Sequence, residues 1–273
     1  MKYSTATSVL VNYLLEDAIE KVILSGFNGI DIWCGRPHLF RRDYSFDYIK
    51  DLGDKIRANG LQAVSVFPAF FRYPFSLSSP VDSIAGDSVI YMKECIENAK
   101  HIGADYVLVV PTNNVYGQTP FEARDIFVRN LSQACEYADL MKIGLNIEVL
   151  NPKLSSYIYE TGHAVQIIRE IGYDRLGIAL DTGHLNLSGE DPESAIERAG
   201  ENLVHVHVND NNAKEQQNAI PTEGNFDFAG FGALLKRYNY SGFLTLELGW
   251  PYSADPEPAL KRALSVTKAL FES

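Results

Sequence analysis

Cysteine is scarce: Cys34, Cys95 and Cys135 are an odd number, and no two form a Cys-x-x-Cys pair. That excludes a disulfide framework and fits reduced thiols in the cytoplasm. No basic block occurs, and the net charge is −11. Such an acidic surface repels phosphate backbones, so nucleic acid is not expected as a partner. No apolar run is long enough to span a bilayer, and no membrane association is expected. The opening segment MKYSTATSVLVNYLLEDAIEK has too short an apolar stretch, followed too soon by acids, to be a signal peptide. Low-complexity tracts and Pro-, Gly- or Ser-rich linkers are also lacking. The remaining composition, 46% hydrophobic and 22% charged over 273 residues, is that of one globular domain spanning 1–273.

Two kinds of segment alternate along it. Short β-rich apolar runs mark strands at Tyr3–Ala6, Gly29–Trp33, Gln62–Phe67, Tyr106–Val110, Gly144–Glu148, Leu176–Asp181, Leu203–Asn209 and Phe243–Glu247. Helical spacing fills Leu15–Ser25, Phe46–Asn59, Ser88–Ile102, Phe121–Met141, Gly162–Ile171, Pro192–Ala199, Phe228–Tyr238 and Pro256–Phe271. Eight strand–helix units of this length predict a (β/α)8 TIM barrel. The rival, an open doubly wound sheet, would usually carry a Gly-rich phosphate loop after the first strand, and none is present.

In such a barrel the chemistry lies at the C-terminal strand ends. Strand five ends in Glu148, strand six in Asp181, strand seven carries His205 and His207, and strand eight ends in Glu247. Alternate residues face opposite sides of a strand. If Leu145, Ile147 and Val149 face the helices, Glu148 faces inward. The same parity turns Asp181 inward against Ile178 and Leu180, the two histidines against Val204, Val206 and Val208, and Glu247 against Leu246 and Leu248. A lone strand-end glutamate is ordinarily a solvated loop residue, and a lone inward histidine a satisfied core residue. Four on adjacent strands point to one site.

Three converging carboxylates repel one another, and burying them unpaired is costly. A divalent cation resolves the conflict. Three oxygens and one nitrogen suit Mn²⁺, Co²⁺, Mg²⁺ or Zn²⁺ without choosing among them; Mn²⁺ is taken as the first expectation. His205 sits one layer deeper, as a hydrogen-bond partner of the ligands, and Asp31 is a similar buried acid. His184, three residues past Asp181, can reach back to a substrate oxygen. Trp33, Phe67, Phe70, Phe71 and Trp250 fall where pocket walls belong, suiting the apolar faces of a sugar, though packing beneath a loop would also use them.

The segments GFNGIDIWCGRPHLF, NIEVLNP, GIALDTGHLNLSGED, HVHVNDNN, IPTEGNFDFAGF and YSGFLTLELGW together resemble the xylose isomerase-like TIM barrels, the sugar phosphate isomerase/epimerase superfamily, over nearly the whole chain. GRPHLF and IPTEG are most similar to the fructoselysine 3-epimerase branch, beside the ketose 3-epimerases. The resemblance implies Glu148, Asp181, His207 and Glu247 as metal ligands, with Glu148 and Glu247 as the acid/base pair on opposite faces of the sugar. It implies His184, His38 and Arg36 as substrate-binding groups; a loop anchor is the competing reading for the last two. It also implies a dimer or tetramer. Two departures stand out. The arginine that ketose 3-epimerases carry after the strand-seven histidine is missing, with Lys214 near its place, and Leu154 falls close to where they have a further glutamate. Free tagatose or psicose is therefore not the expected substrate. Endonuclease-IV-type DNA repair needs extra histidines after strands three and four, where SVFPAFF and VVPTNN stand.

The expected enzyme is a metal-dependent isomerase, an epimerase or isomerase of a keto sugar or sugar conjugate, moving a proton through an enediolate. The alternatives are a lyase on the same scaffold, acting on an inosose or 3-keto glycoside, and a sugar-binding barrel without catalysis.

Overall fold

The computed structural model describes residues 1–272. Among them, eight parallel strands close into one barrel in chain order: β1 Lys2–Ala6, β2 Gly29–Trp33, β3 Gln62–Phe67, β4 Tyr106–Val109, β5 Gly144–Val149, β6 Leu176–Asp181, β7 Leu203–Val208 and β8 Phe243–Leu246. The helices are α1 Leu15–Ser25, α2 Phe46–Ala58, α3 Asp82–Ile102, α4 Pro120–Met141, α5 Thr161–Ile171, α6 Thr182–Ser188, α7 Pro192–Ala199, α8 Phe228–Arg237 and α9 Pro256–Glu272. No helix of the described residues is long and apolar enough to cross a membrane. Cys34, Cys95 and Cys135 are buried and unpaired.

Local chemistry sets the element ends. Thr119 and Glu122 form a reciprocal capping box at the start of α4, with Pro120 in the first turn. Two helices depart from the periodicity. α3 begins at Asp82, six residues before the expected Ser88, and runs unbroken through Gly86. α6 was not expected at all: Asp181 ends β6 and caps it at once, accepting from the His184 N–H at 2.8 Å.

Two strands depart from simple alternation: β3 carries an extra residue, Val64, between the partners of Ile30 and Asp31. β7 carries a bulge, because Ile178 pairs with Leu203 and Ala179 with His205. The extra residue, Val204, therefore does not share the outward row of Val206 and Val208; a Cβ on Gly177 would run into its methyl groups. Above the bulge His205 and His207 pair with Ala179 and Asp181 and keep their inward parity.

The barrel floor is polar. Asp31, fully buried, accepts from Ser4 Oγ and Thr245 Oγ1 at 3.1 Å each and from Ser65 Oγ at 2.6 Å, and its Oδ2 lies 2.8 Å from His205 Nε2. Burial opposes its ionisation, but the His205 and His207 rings outweigh that and hold its carboxyl well below the ordinary range. This hub joins β1, β2, β3, β7 and β8 across the seam where the first and last strands meet.

The rim loop after β7 is anchored by buried Asp210, which accepts from the N–H groups of Thr222, Gly224 and Phe226. The turn forces Thr222 to φ 82°, a conformation that costs a β-branched residue roughly 1–2 kcal/mol. Thr222→Gly should raise stability by about 1 kcal/mol, read as a higher midpoint in thermal denaturation, since the backbone bond to Asp210 survives. An unchanged or lower midpoint would show that the threonine side chain compensates the strain.

Candidate active site

Four adjacent strands deliver four donors to one point. Ligand atoms of Glu148, Asp181, His207 and Glu247 all lie within 4.8 Å of one another, the first three buried and Glu247 half-buried. β5 supplies Glu148 and β6 Asp181. Glu247 stands one residue past β8, where its N–H donates to the Val208 carbonyl at 3.2 Å. His207 Nδ1 sits between Glu148 Oε1 at 3.2 Å and Glu247 Oε2 at 3.3 Å. The site is walled by further bonds: Asp181 Oδ2 accepts from Asn209 Nδ2 at 2.6 Å, and Thr182 Oγ1 donates to the Asn209 carbonyl, also at 2.6 Å.

The electrostatics are those of a site short of positive charge. Burial, aided by the charges of Glu247 and Glu148, pushes Asp181 up to about 6. His207 is raised well above the ordinary histidine value. Burial works against its charge, but bonds to Asp31, Glu148 and Glu247 overcome that. Burial would likewise raise Glu148, yet the bond to His207 and its charge hold it below the usual value. Three carboxylates sharing one imidazole fit a divalent cation, which would satisfy all four donors at once.

Close packing fixes Asp181. A Cβ on Gly183 would overlap Asn209 Oδ1, the amide that holds the aspartate. Gly183→Ala should therefore cost about 2–4 kcal/mol of stability and weaken metal binding at least tenfold. A denaturant titration and a calorimetric metal titration check both effects. An alanine variant with wild-type values would mean that the Asn209 contact is dispensable.

Above the four donors opens a cavity of about 660 Å³, within the range usual for small-molecule sites. Glu148, Glu247, His184 and Gln216 are among its polar lining, while Trp33, Phe67 and Leu154 form apolar wall. Phe71, Arg72 and Trp250 line the mouth, with the Arg72 guanidinium 5.2 Å from the centre of a Trp250 ring. The donors thus come from the second half of the chain, and much of the apolar wall from the first.

Other expected site residues lie elsewhere. His38 is fully buried off the cavity, its ring nitrogens 3.1 Å from Thr7 Oγ1 and from the Leu10 carbonyl. Burial pushes it down to about 4, so it is a neutral anchor of the turn after β1. Arg36 points to solvent and forms a two-pronged pair with Asp43 at 2.7 Å, the loop-anchor alternative. Lys214 is exposed and does not line the cavity; its carbonyl accepts from Lys153 Nζ at 2.7 Å. Phe70 packs in the core against Tyr91. Conversely, Asn151, Asn209, Gln216 and Arg72 were not expected. Two of them carried a signal: Asn151 follows Glu148 by three residues in the loop after β5, and Asn209 shares the inward parity of His207 two residues before it.

The comparisons with known proteins agree with this fold. Fructoselysine 3-epimerase of Shigella flexneri is 25% identical over 257 residues, 94% of this chain and 93% of that protein. The structure of D-psicose 3-epimerase with D-tagatose from Clostridium cellulolyticum H10 superposes with a TM-score of 0.85 at 18% identity, covering all of both chains. An IOLI protein with a bound zinc atom superposes with a TM-score of 0.84 at 19% identity, over 100% of this chain and 98% of that one. Residues 19–270 match the family model of the xylose isomerase-like TIM barrel, and the chain belongs to that family.

Proposed function

We propose that this chain is a divalent-metal-dependent isomerase that epimerises or isomerises a keto sugar or sugar conjugate through an enediolate. The observation that carries the reading is the set of four ligand atoms within 4.8 Å at the base of a 660 Å³ cavity. The names of the relatives, a fructoselysine and a psicose 3-epimerase, support the substrate class. A cation held by Glu148, Asp181, His207 and Glu247 would supply Lewis acidity toward a carbonyl and its neighbouring hydroxyl. Manganese is the first choice; the zinc in the IOLI structure supports the site without fixing the metal.

The chain's own groups do the rest. One of Glu148 and Glu247 takes the hydrogen from the carbon beside the carbonyl, leaving an enediolate. The other returns a proton to the opposite face and inverts that carbon. Return to the neighbouring carbon would yield the aldose instead. His184 contacts a substrate oxygen, and Trp33, Phe67 and Leu154 keep water from the reacting carbon. Leu154, standing where ketose 3-epimerases have a glutamate, favours a substrate with an apolar portion over a free hexulose.

The test is a panel of ketoses, sugar–amine conjugates, inososes and 3-keto glycosides in D₂O with added Mn²⁺. Deuterium at the carbon beside the carbonyl, with the sugar otherwise conserved in mass, is the expected result. Loss of water or an aglycone would reassign the chain as a lyase. Binding without any exchange would leave only a sugar receptor.

A further inference from the structure

His184 has one ring nitrogen committed inside the protein. Its Nδ1 lies 3.1 Å from Asn151 Nδ2, and among the described residues no protein group partners its Nε2, on a ring that lines the cavity. Which way that ring is protonated follows from the orientation of the asparagine. Asn151 Oδ1 faces the backbone N–H of Lys153 at 3.0 Å. A backbone amide can only donate, so the oxygen must be on that side. The NH₂ group therefore faces the other two partners, His184 Nδ1 and Gln216 Oε1, the latter also at 3.1 Å. Gln216 is oriented in the same sense, since its own Nε2 donates to Asn218 Oδ1 at 2.6 Å.

An NH₂ group has no lone pair to offer. His184 Nδ1 must accept, and a neutral ring then carries its hydrogen on Nε2. Asn151 is 1% and His184 5% exposed, so little water competes for this bond.

We propose that Asn151 is a positioning residue that holds His184 Nδ1 as an acceptor and so keeps the ring hydrogen on Nε2, where the site offers a substrate oxygen a hydrogen-bond donor. This rests on the sugar-isomerase reading of the cavity. It adds a specificity: the group recognised there is a carbonyl or hydroxyl oxygen able to accept. It also explains why the loop at 212–218 folds over the one at 151–154. Gln216 takes the second amide hydrogen of Asn151, and Lys153 Nζ binds the Lys214 carbonyl, so the asparagine is clamped from both sides.

The test is two-bond ¹H–¹⁵N correlation of the histidine rings in the full-length protein loaded with diamagnetic Zn²⁺, with His184→Gln used to assign the signals. The expected wild-type result is a pyridine-like Nδ1 and a pyrrole-like Nε2. In Asn151→Asp the carboxylate accepts instead of donating, and Nδ1 should become pyrrole-like. For a sugar that exchanges, kcat/KM should then fall roughly tenfold to a hundredfold. Asn151→Ala should give a mixture of tautomers. Should Asn151→Asp not fold, the wild-type and alanine spectra carry the test. A pyrrole-like Nδ1 in the wild type, or an unchanged ring in Asn151→Asp, overturns the proposal. Failure of every sugar to exchange overturns the isomerase reading and leaves the ring assignment standing.

Discussion

Glu247→Gln is expected to abolish exchange of the substrate's α-hydrogen with D₂O, a loss of at least 10²- to 10⁴-fold from removal of one proton-transfer group. Glutamine keeps the size of the side chain but can neither take a proton nor offer a charged ligand oxygen. The two effects separate by measurement. Saturating metal should restore whatever is lost through weakened coordination, because three donors remain. It should not restore proton transfer. Glu148→Gln is expected to behave alike toward the opposite epimer, since the two carboxylates flank the same His207 nitrogen at 3.2 and 3.3 Å. A substrate epimer whose α-hydrogen lies on one face should lose exchange in one variant and keep it in the other, which would identify the face each glutamate serves. Full exchange of both epimers in Glu247→Gln would remove that residue from the chemistry.

The second large effect is on metal affinity against pH. Asp181 titrates at about 6 in the metal-free protein, above its ordinary 3.8. The folded chain therefore holds that proton more tightly than the unfolded one. The cost of ionising it is absent near pH 4, grows as pH rises, and reaches about 3 kcal/mol above pH 6. His207, raised above 6.5, contributes stability that is complete below its ordinary value and is lost as pH rises through the higher folded one. Both groups thus make the metal-free protein weaker on the alkaline side, where a cation can take the place of the protons. Apparent affinity should rise with pH as His207 gives up its proton, and fall more steeply below about pH 6, where Asp181 is protonated too. The gain in melting temperature on adding Mn²⁺ should be larger at pH 8 than at pH 5. Calorimetric titrations across that range measure it; a flat affinity would mean that neither proton is displaced on binding.

The barrel and its four convergent donors were legible from the sequence because both rest on strong short-range signals. Apolar strands of four to six residues, and a parity rule applied four times over, need no knowledge of distant contacts. Val204 shows the limit of parity: the bulge is set by pairing with β6, and nothing in LVHVHV announces it. α6 was hidden because one residue, Asp181, both ends a strand and caps a helix of only seven residues. The Asp31 hub draws on Ser4, Ser65, His205 and Thr245, single residues from four other strands with no shared local pattern. His38 and Arg36 were assigned by likeness to a family segment. The structure turns one into the core and the other onto Asp43, since likeness in sequence does not fix which side of a loop a side chain takes.

The split of labour between the two halves of the chain bears on how such a protein could change its diet. All four candidate metal ligands follow α4, whereas Trp33, Phe67, Phe71 and Arg72 precede it. A crossover inside α4, joining a sister protein's front half to this rear half, would redraw much of the chamber wall in one step and leave those four donors untouched. The graft would have to keep Ser4, Asp31 and Ser65, the three front-half members of the keystone that locks the two halves together. New tastes could then be acquired by recombination, long before any point change approached the reacting carbon.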